Sequence, residues 1–153
     1  MGLDMYLYKK NYVKNWSFTN PEDRHEITIK KNGEEVKSIN KEKIVYVIEK
    51  LAYWRKFNAL HKWFVDNCQD GIDDCKDAYV SLDNLKYLLN ILKEISLDNS
   101  KAHELLPSKE GFFFGFTEYD EYYFNKINDT IKILEEIIKN HTCISDYIYS
   151  SSW

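Results

Sequence analysis

The segment Tyr53-Trp54-Arg55-Lys56-Phe57-Asn58-Ala59-Leu60-His61-Lys62-Trp63-Phe64 concentrates side chains able to hold a small polar ligand. Read as a helix, it sets Trp54, Asn58 and His61 in one row, because residues three and four apart share a face. Arg55, Asn58 and Lys62 form the next row. An aromatic plane, an amide, an imidazole and two cations are the parts needed to stack a base and hold a phosphate or ribose. The bland reading has Trp54 and Trp63 packed in the core, with Arg55 and Lys62 in water.

Phe112 to Tyr123 (FFFGFTEYDEYY) is a second cluster. Helix N-termini bind anions through free amide hydrogens, but Glu118, Asp120 and Glu121 would meet a free phosphate with like charge. Asp120 or Glu121 suits hydrogen bonds from a ribose, a base edge or Arg55. Tyr119, Tyr122 and Tyr123 add stacking surface and hydroxyl groups. An acidic first turn with tyrosines in the core rim is the competing reading. Near the start, alternation puts Asp4, Tyr6 and Tyr8 on one strand face. Two readings of Asp4 stay open: partnership with Arg55, or exposure to solvent.

No spacing is diagnostic of an enzyme class. Gly-rich phosphate loops, nucleophile elbows and zinc-helix motifs are absent from the sequence. His103 and His141 stand alone and read as surface residues. Cys68, Cys75 and Cys143 are an odd set without the two-to-four spacing of zinc ligands. They read as reduced thiols of a cytoplasmic protein, with no metal and no cofactor implied.

The elements that must position these residues follow from pattern. Leu3 to Tyr8 alternates as a strand, and Asn11 to Asp23 reads as a loop. Asn32-Gly33 supplies both positive-φ residues of a hairpin turn between Ile27 and Val36. Lys43 to Lys50 (KIVYVIEK) reads as a strand, although Ile44, Val47, Ile48 and Leu51 also fit a helical spacing. A helix is expected over 51–68, its apolar stripe being Tyr53, Phe57, Leu60 and Phe64, with Asp70-Gly71 ending it. Ala78 to Val80 reads as a short strand. Ser81 caps a helix over 81–96 with Leu82, Leu85, Leu89 and Leu92 inward. Asp98 to Gly111 is expected as loop, and Phe112 to Phe116 as strand or tight turn. Thr117 is expected to cap a third helix over 118–139, with Phe124, Ile127, Ile131, Leu134 and Ile138 inward. Asp146 to Trp153 reads as the last strand. The sum is an α+β domain spanning 1–153, with an antiparallel or mixed sheet and about three helices on it.

Composition sets the outer limits. The chain has 153 residues and 18.3 kDa, enough for a core without metal or disulfide staples. Apolar residues at 44% and charged residues at 30% exclude a disordered tail or a fibre, and no apolar run is long enough to span a membrane. The net charge of −4 argues against bulk nucleic-acid binding, although residues 1–63 carry +5 and residues 64–153 carry −9. Aromatics reach 16%, more than one small core readily hides, which points to a homo-oligomer.

The segments MGLDMYLYKK, YWRKFNALHKWFV and GFFFGFTEYDEYYF resemble an uncharacterised family of small phage and prophage proteins of Firmicutes, and the resemblance runs from residue 1 to Ser151-Ser152-Trp153. The family more often has Ala where this chain has Phe57. The resemblance implies a protein acting in a bacterial cytoplasm, of a size class that often inhibits host defence and in some cases sequesters nucleotide immune signals. It names no chemistry and no site residues. Three functions follow as expectations. The first is a non-enzymatic binding protein that holds a nucleotide-type ligand through Asp4, Tyr6, Trp54, Arg55, Asn58, His61, Tyr119, Asp120, Tyr122 and Tyr123. The second is a small phosphodiesterase or nucleotide hydrolase using His61 with Asp4 or Asp120. The third is an interaction module acting on a host defence protein.

Overall fold

The computed structural model describes residues 2–111 and 117–153. Strand β1 (Asp4–Tyr12) lies at the centre of an antiparallel sheet with β4 (Tyr46–Arg55), β6 (Ser145–Ser152) and β5 (Ala78–Val80), in the order β4-β1-β6-β5. A separate hairpin pairs β2 (Lys30–Lys31) with β3 (Glu34–Glu35). The helices are α1 (Asn58–Cys68), α2 (Leu82–Leu97), the one-turn α3 (Ala102–Leu105) and α4 (Glu121–Lys139). This is the α+β class expected from the sequence, with every strand pair of the main sheet antiparallel.

Alternation on β1 divides the sheet into two faces. Leu3, Met5 and Leu7 are buried beside Ala52, Trp54, Tyr147 and Tyr149, under the helices. Residue by residue, the opposite face carries Asp4, Tyr6, Tyr8, Lys10 and Tyr12, paired in register with residues of β4 and β6. The β1–β4 register slips between Leu7 and Tyr8. Leu7 faces Ala52 and Tyr8 faces Lys50, leaving Leu51 as one extra residue on β4.

The expected hairpin is present at Asn32 and Gly33, with φ of 52° and 86°, as its turn requires. The last strand and the short strand at Ala78–Val80 lie where the alternation puts them. The Ser81 cap is also as expected: Asn84 N–H donates to its hydroxyl at 3.0 Å, and the Asn84 side chain closes a capping box. Removing it in Ser81→Ala should cost about 1 kcal/mol, lowering Tm by roughly 2–4 °C; differential scanning calorimetry checks this. Helix α2 lies against α4, fastened at its surface by Lys93–Glu135 at 2.6 Å and Ser96–Asn128 at 2.9 Å.

Four expectations are corrected. Residues 51–55 are strand rather than helix, because Ala52 to Arg55 pair with Leu7 to Asp4 on β1. The chain then turns through Lys56, whose φ of 52° is left-handed, and the helix starts at Asn58. Tyr53 therefore leaves the apolar stripe and is exposed, while Phe57, Leu60 and Phe64 stay buried. β1 runs on to Tyr12, because Lys9, Lys10 and Asn11 pair with both neighbouring strands. The segment expected as loop from Asp98 contains α3. Asp120, not Thr117, caps α4: its Oδ1 accepts Tyr123 N–H at 2.9 Å, so Glu118 and Tyr119 precede the helix. The expectation for Phe112 to Phe116 lies outside the described residues.

Candidate functional site

The strand–turn–helix at 52–58 separates the residues that one helix was expected to display together. Trp54 points under the sheet, 6% exposed, with its indole N–H donating to Thr130 Oγ1 at 3.0 Å. Its ring lies 6.2 Å from that of Phe64. Trp54 is a core residue, because the alternation of β4 turns its side chain to the face that the helices cover.

His61 is also removed from any surface, at 1% exposure. Its Nε2 lies 3.0 Å from Asp73 Oδ2, and its Nδ1 lies 2.7 Å from the Tyr149 hydroxyl. A carboxylate only accepts, so Nε2 carries the hydrogen and Nδ1 accepts from Tyr149. Trp153 donates its indole N–H to the other oxygen of Asp73 at 3.1 Å. Burial lowers the His61 pKa below the ordinary histidine value, with Asp73 opposing. Burial likewise lifts Tyr149 far above the usual tyrosine range. With both ring nitrogens committed, His61 does not form the expected acid–base set with Asp4 or Asp120.

Asp4, Tyr6 and Arg55 lie together on the open face of the sheet. The Tyr53 hydroxyl donates to Asp4 Oδ1 at 2.5 Å, which raises the Tyr53 pKa. Arg55 Nε lies 3.9 Å from the same oxygen. Of the two readings left open for Asp4, the Arg55 partnership is the observed one, with Tyr53 added. Tyr6 packs between Tyr8 and Tyr53, at ring separations of 5.8 and 5.2 Å. Tyr53 and Tyr8 were not among the sequence candidates, although Tyr8 shares the alternation that selected Tyr6.

The remaining candidates meet elsewhere. Asn58, Asp120, Tyr122 and Tyr123 line a cavity of about 360 Å³, together with Lys56, Phe57, Glu118 and Lys126. Two elements build it: the left-handed turn into α1 supplies Lys56, Phe57 and Asn58, and the N-terminal turns of α4 supply Tyr122, Tyr123 and Lys126. Phe57 and Tyr123 meet edge to face at 5.7 Å and form its floor, both being buried. The Tyr123 hydroxyl donates to the Leu106 carbonyl at 2.9 Å, and burial holds this phenol protonated. Lys126 projects its ammonium over Tyr122 at 4.4 Å and towards Phe57 at 5.5 Å, while donating to the Arg55 carbonyl. That bond joins the cleft to the end of the open face. Tyr119 stands beside it, accepting Ser108 N–H at 3.0 Å and packing on His103 at 4.0 Å.

Lys56, Phe57, Glu118 and Lys126 were missed as site residues. Lys126 had a signal, since it stands four residues after Tyr122 on the same helix face. Lys56 had none, because its place depends on the strand–helix junction. A larger, more open hollow of about 650 Å³ lies among loop residues including Val13, Arg24, His25 and Lys41, and contains none of the ten candidates. Among the described residues no group of His, Cys, Asp and Glu could hold a metal, and no helix is long and apolar enough to cross a membrane. The cysteines form no disulfide, and burial raises the Cys68 thiol to about 11.

Comparison of the chain with protein-family models, curated proteins and solved structures finds no match.

Proposed function

We propose that this chain is a non-enzymatic binding protein that sequesters a small nucleotide-derived ligand in the cleft between the start of α1 and the start of α4. One observation carries the reading: an aromatic floor, two lysines, two carboxylates and an amide converge on a cavity of about 360 Å³. That is within the size range of small-molecule sites, which combine apolar walls with a few placed polar groups. Tyr122, more than half exposed, offers a stacking plane for a base. Lys56 and Lys126 supply charge for phosphate, and Glu118 and the free oxygen of Asp120 suit ribose hydroxyls or a base edge. Holding a ligand in this way needs pre-shaped contacts and no catalytic group. A phage-type counter-defence role, as the resemblance to phage and prophage proteins implies, fits a protein of this kind.

The full chain incubated with a panel of cyclic nucleotides, then chromatographed before and after heat denaturation, tests this. Recovery of intact ligand on denaturation is the expected result. A new product would replace sequestration by hydrolysis, and no uptake would end the proposal. Where a nucleotide binds, Tyr122→Ala should weaken it by the roughly 1–3 kcal/mol of one base–aromatic stack, or about five- to 150-fold. Lys56→Ala should also weaken it, by a factor that shrinks as salt is raised.

The open face of the sheet favours a second reading, an interaction module for a host protein. Tyr6, Tyr8 and Tyr53 make one packed aromatic surface there, and tyrosine is enriched at protein interfaces. Co-purification of a host protein lost in Tyr6→Ala but kept in Tyr122→Ala would select it.

A further inference from the structure

β4 is an edge strand, with β1 on one side and no strand on the other among the described residues. Such an edge presents unpaired backbone groups and is ordinarily blunted by charge, proline or a short length. Here the start of the strand and the residue before it are apolar and open: Val45 is 51% and Ile48 60% exposed, with Tyr46 and Val47 also exposed.

The ladder shows which backbone groups are available. Val13 N–H donates to the Val45 carbonyl at 2.9 Å, and the register continues through Asn11 with Val47 and Lys9 with Glu49. Alternate residues of an antiparallel strand direct their N–H and C=O to opposite sides. Tyr46, Ile48 and Lys50 therefore aim theirs at the open edge.

The sequence of this edge is symmetric. Ile44-Val45-Tyr46-Val47-Ile48 reads the same in both directions, with Glu42-Lys43 before it and Glu49-Lys50 after it. We propose that β4 pairs antiparallel with β4 of a second copy of this chain, about a two-fold axis at Tyr46. In that register Tyr46 faces the partner's Tyr46, Val45 faces the partner's Val47, and Ile44 faces the partner's Ile48. The flanking charges then complement each other: Lys43 meets the partner's Glu49, and Glu42 meets the partner's Lys50. Within its own chain Glu49 Oε2 is held by Asn11 Nδ2 at 2.6 Å and Lys9 at 3.8 Å, and its other oxygen faces the added lysine. An isologous contact requires such self-complementarity. Tyr46 falls at a position whose N–H and C=O both point outwards, so the axis passes through a pair that exchanges two hydrogen bonds. The Ile44 carbonyl accepts Asn15 Nδ2 at 3.3 Å and keeps a second lone pair for the partner's Ile48 N–H. The long 3.3 Å bond from Ile44 N–H to Lys41 is the one that yields. Glu42 and Lys43 lie in the short turn before β4 and reach their partners by side chain alone. Two sheets joined in this way form one eight-stranded sheet, with the two open faces continuous across Tyr46.

Sedimentation of the full chain over a wide concentration range tests the proposal. The mass should rise from 18.3 kDa towards twice that value. Lys43→Glu should raise the dissociation constant by about tenfold or more, because each dimer then sets like charges opposite each other at two places. Glu49→Lys should do the same. The double variant Lys43→Glu/Glu49→Lys should restore pairing, with far-UV circular dichroism unchanged in all three. Ile48→Lys, whose side chain lies on the exposed face, should abolish the dimer while leaving the monomer folded. A monomer at every concentration overturns the proposal. So does a dimer indifferent to the single reversals, or one that the double variant fails to restore.

Discussion

Trp54→Ala is expected to destabilise the protein by about 3–5 kcal/mol, the range for emptying a buried tryptophan site. Tm should fall by roughly 6–20 °C for a chain of this size. The indole fills the space between β4 and α4, beside Phe64, and its N–H satisfies Thr130. Truncation opens a cavity and removes that donor. Thr130 Oγ1 still donates to the Lys126 carbonyl at 2.7 Å, so its own hydrogen bond survives. The cavity therefore dominates the loss. Urea titration of Trp54→Ala beside Tyr122→Ala separates the two kinds of aromatic residue: the first should lose stability, the second should melt near wild type. Equal melting of Trp54→Ala and wild type would contradict the burial of the indole.

His61→Leu is expected to cost about 2–4 kcal/mol, since it leaves the buried Tyr149 hydroxyl without its acceptor and Asp73 without the imidazole donor. The same residue predicts a pH dependence. Its native pKa is lowered by burial, so below about pH 6.5 the unfolded chain binds a proton that the native state refuses. The unfolded state then holds more protons than the native one, and stability falls as pH falls. The contribution is complete above pH 6.5 and is lost from there down to the depressed native value. Chemical denaturation at stepped pH should show this slope in wild type. His61→Leu, already weaker, should lack that part of it, and an unchanged slope would remove the assignment.

Local signals in the sequence were sufficient where local geometry decides the structure. Asn32-Gly33 requires its own turn, Ser81 meets its cap partner three residues on, and Leu3, Met5 and Leu7 sort themselves by alternation. Trp54 was misread because two periodicities overlap at the end of β4. Tyr53, Phe57, Leu60 and Phe64 are spaced as a helical stripe, yet the first of them belongs to a strand held by residues some fifty positions away. Its boundary is silent as well: the left-handed residue between strand and helix is Lys56, not the glycine that announces most such turns. A signal was present in the alternation of Ala52 and Trp54 with Tyr53 and Arg55, but the extra Leu51 puts it out of step with KIVYVIEK. Thr117 and Asp120 are both good caps by residue type, and the cap used is the one beside Tyr123, whose N–H donates to Asp120 and whose hydroxyl donates to the distant Leu106 carbonyl. The cleft was half legible for the same reason. Residues from the start of α4 were found as a cluster, but the opposing wall depends on a junction that the helical reading erased.

The extra residue at Leu51 gives β4 two reading frames. Before it, even-numbered side chains face the open side of the sheet; after it, odd-numbered ones do. Tyr46 and Ile48 thus share a face with Tyr53 and Arg55, which strict alternation would forbid. Regular pairing straight through Leu51 would exchange the sides beyond it, driving the Arg55 guanidinium beneath the helices and the Trp54 indole into water. A deletion at Leu51, in contrast, would mend the ladder and leave Ala52 to Arg55 on the faces they already hold against Leu7 to Asp4. A single residue can therefore be lost at the bulge without exchanging core for surface. The bulge takes up one surplus residue and so holds core and surface in phase.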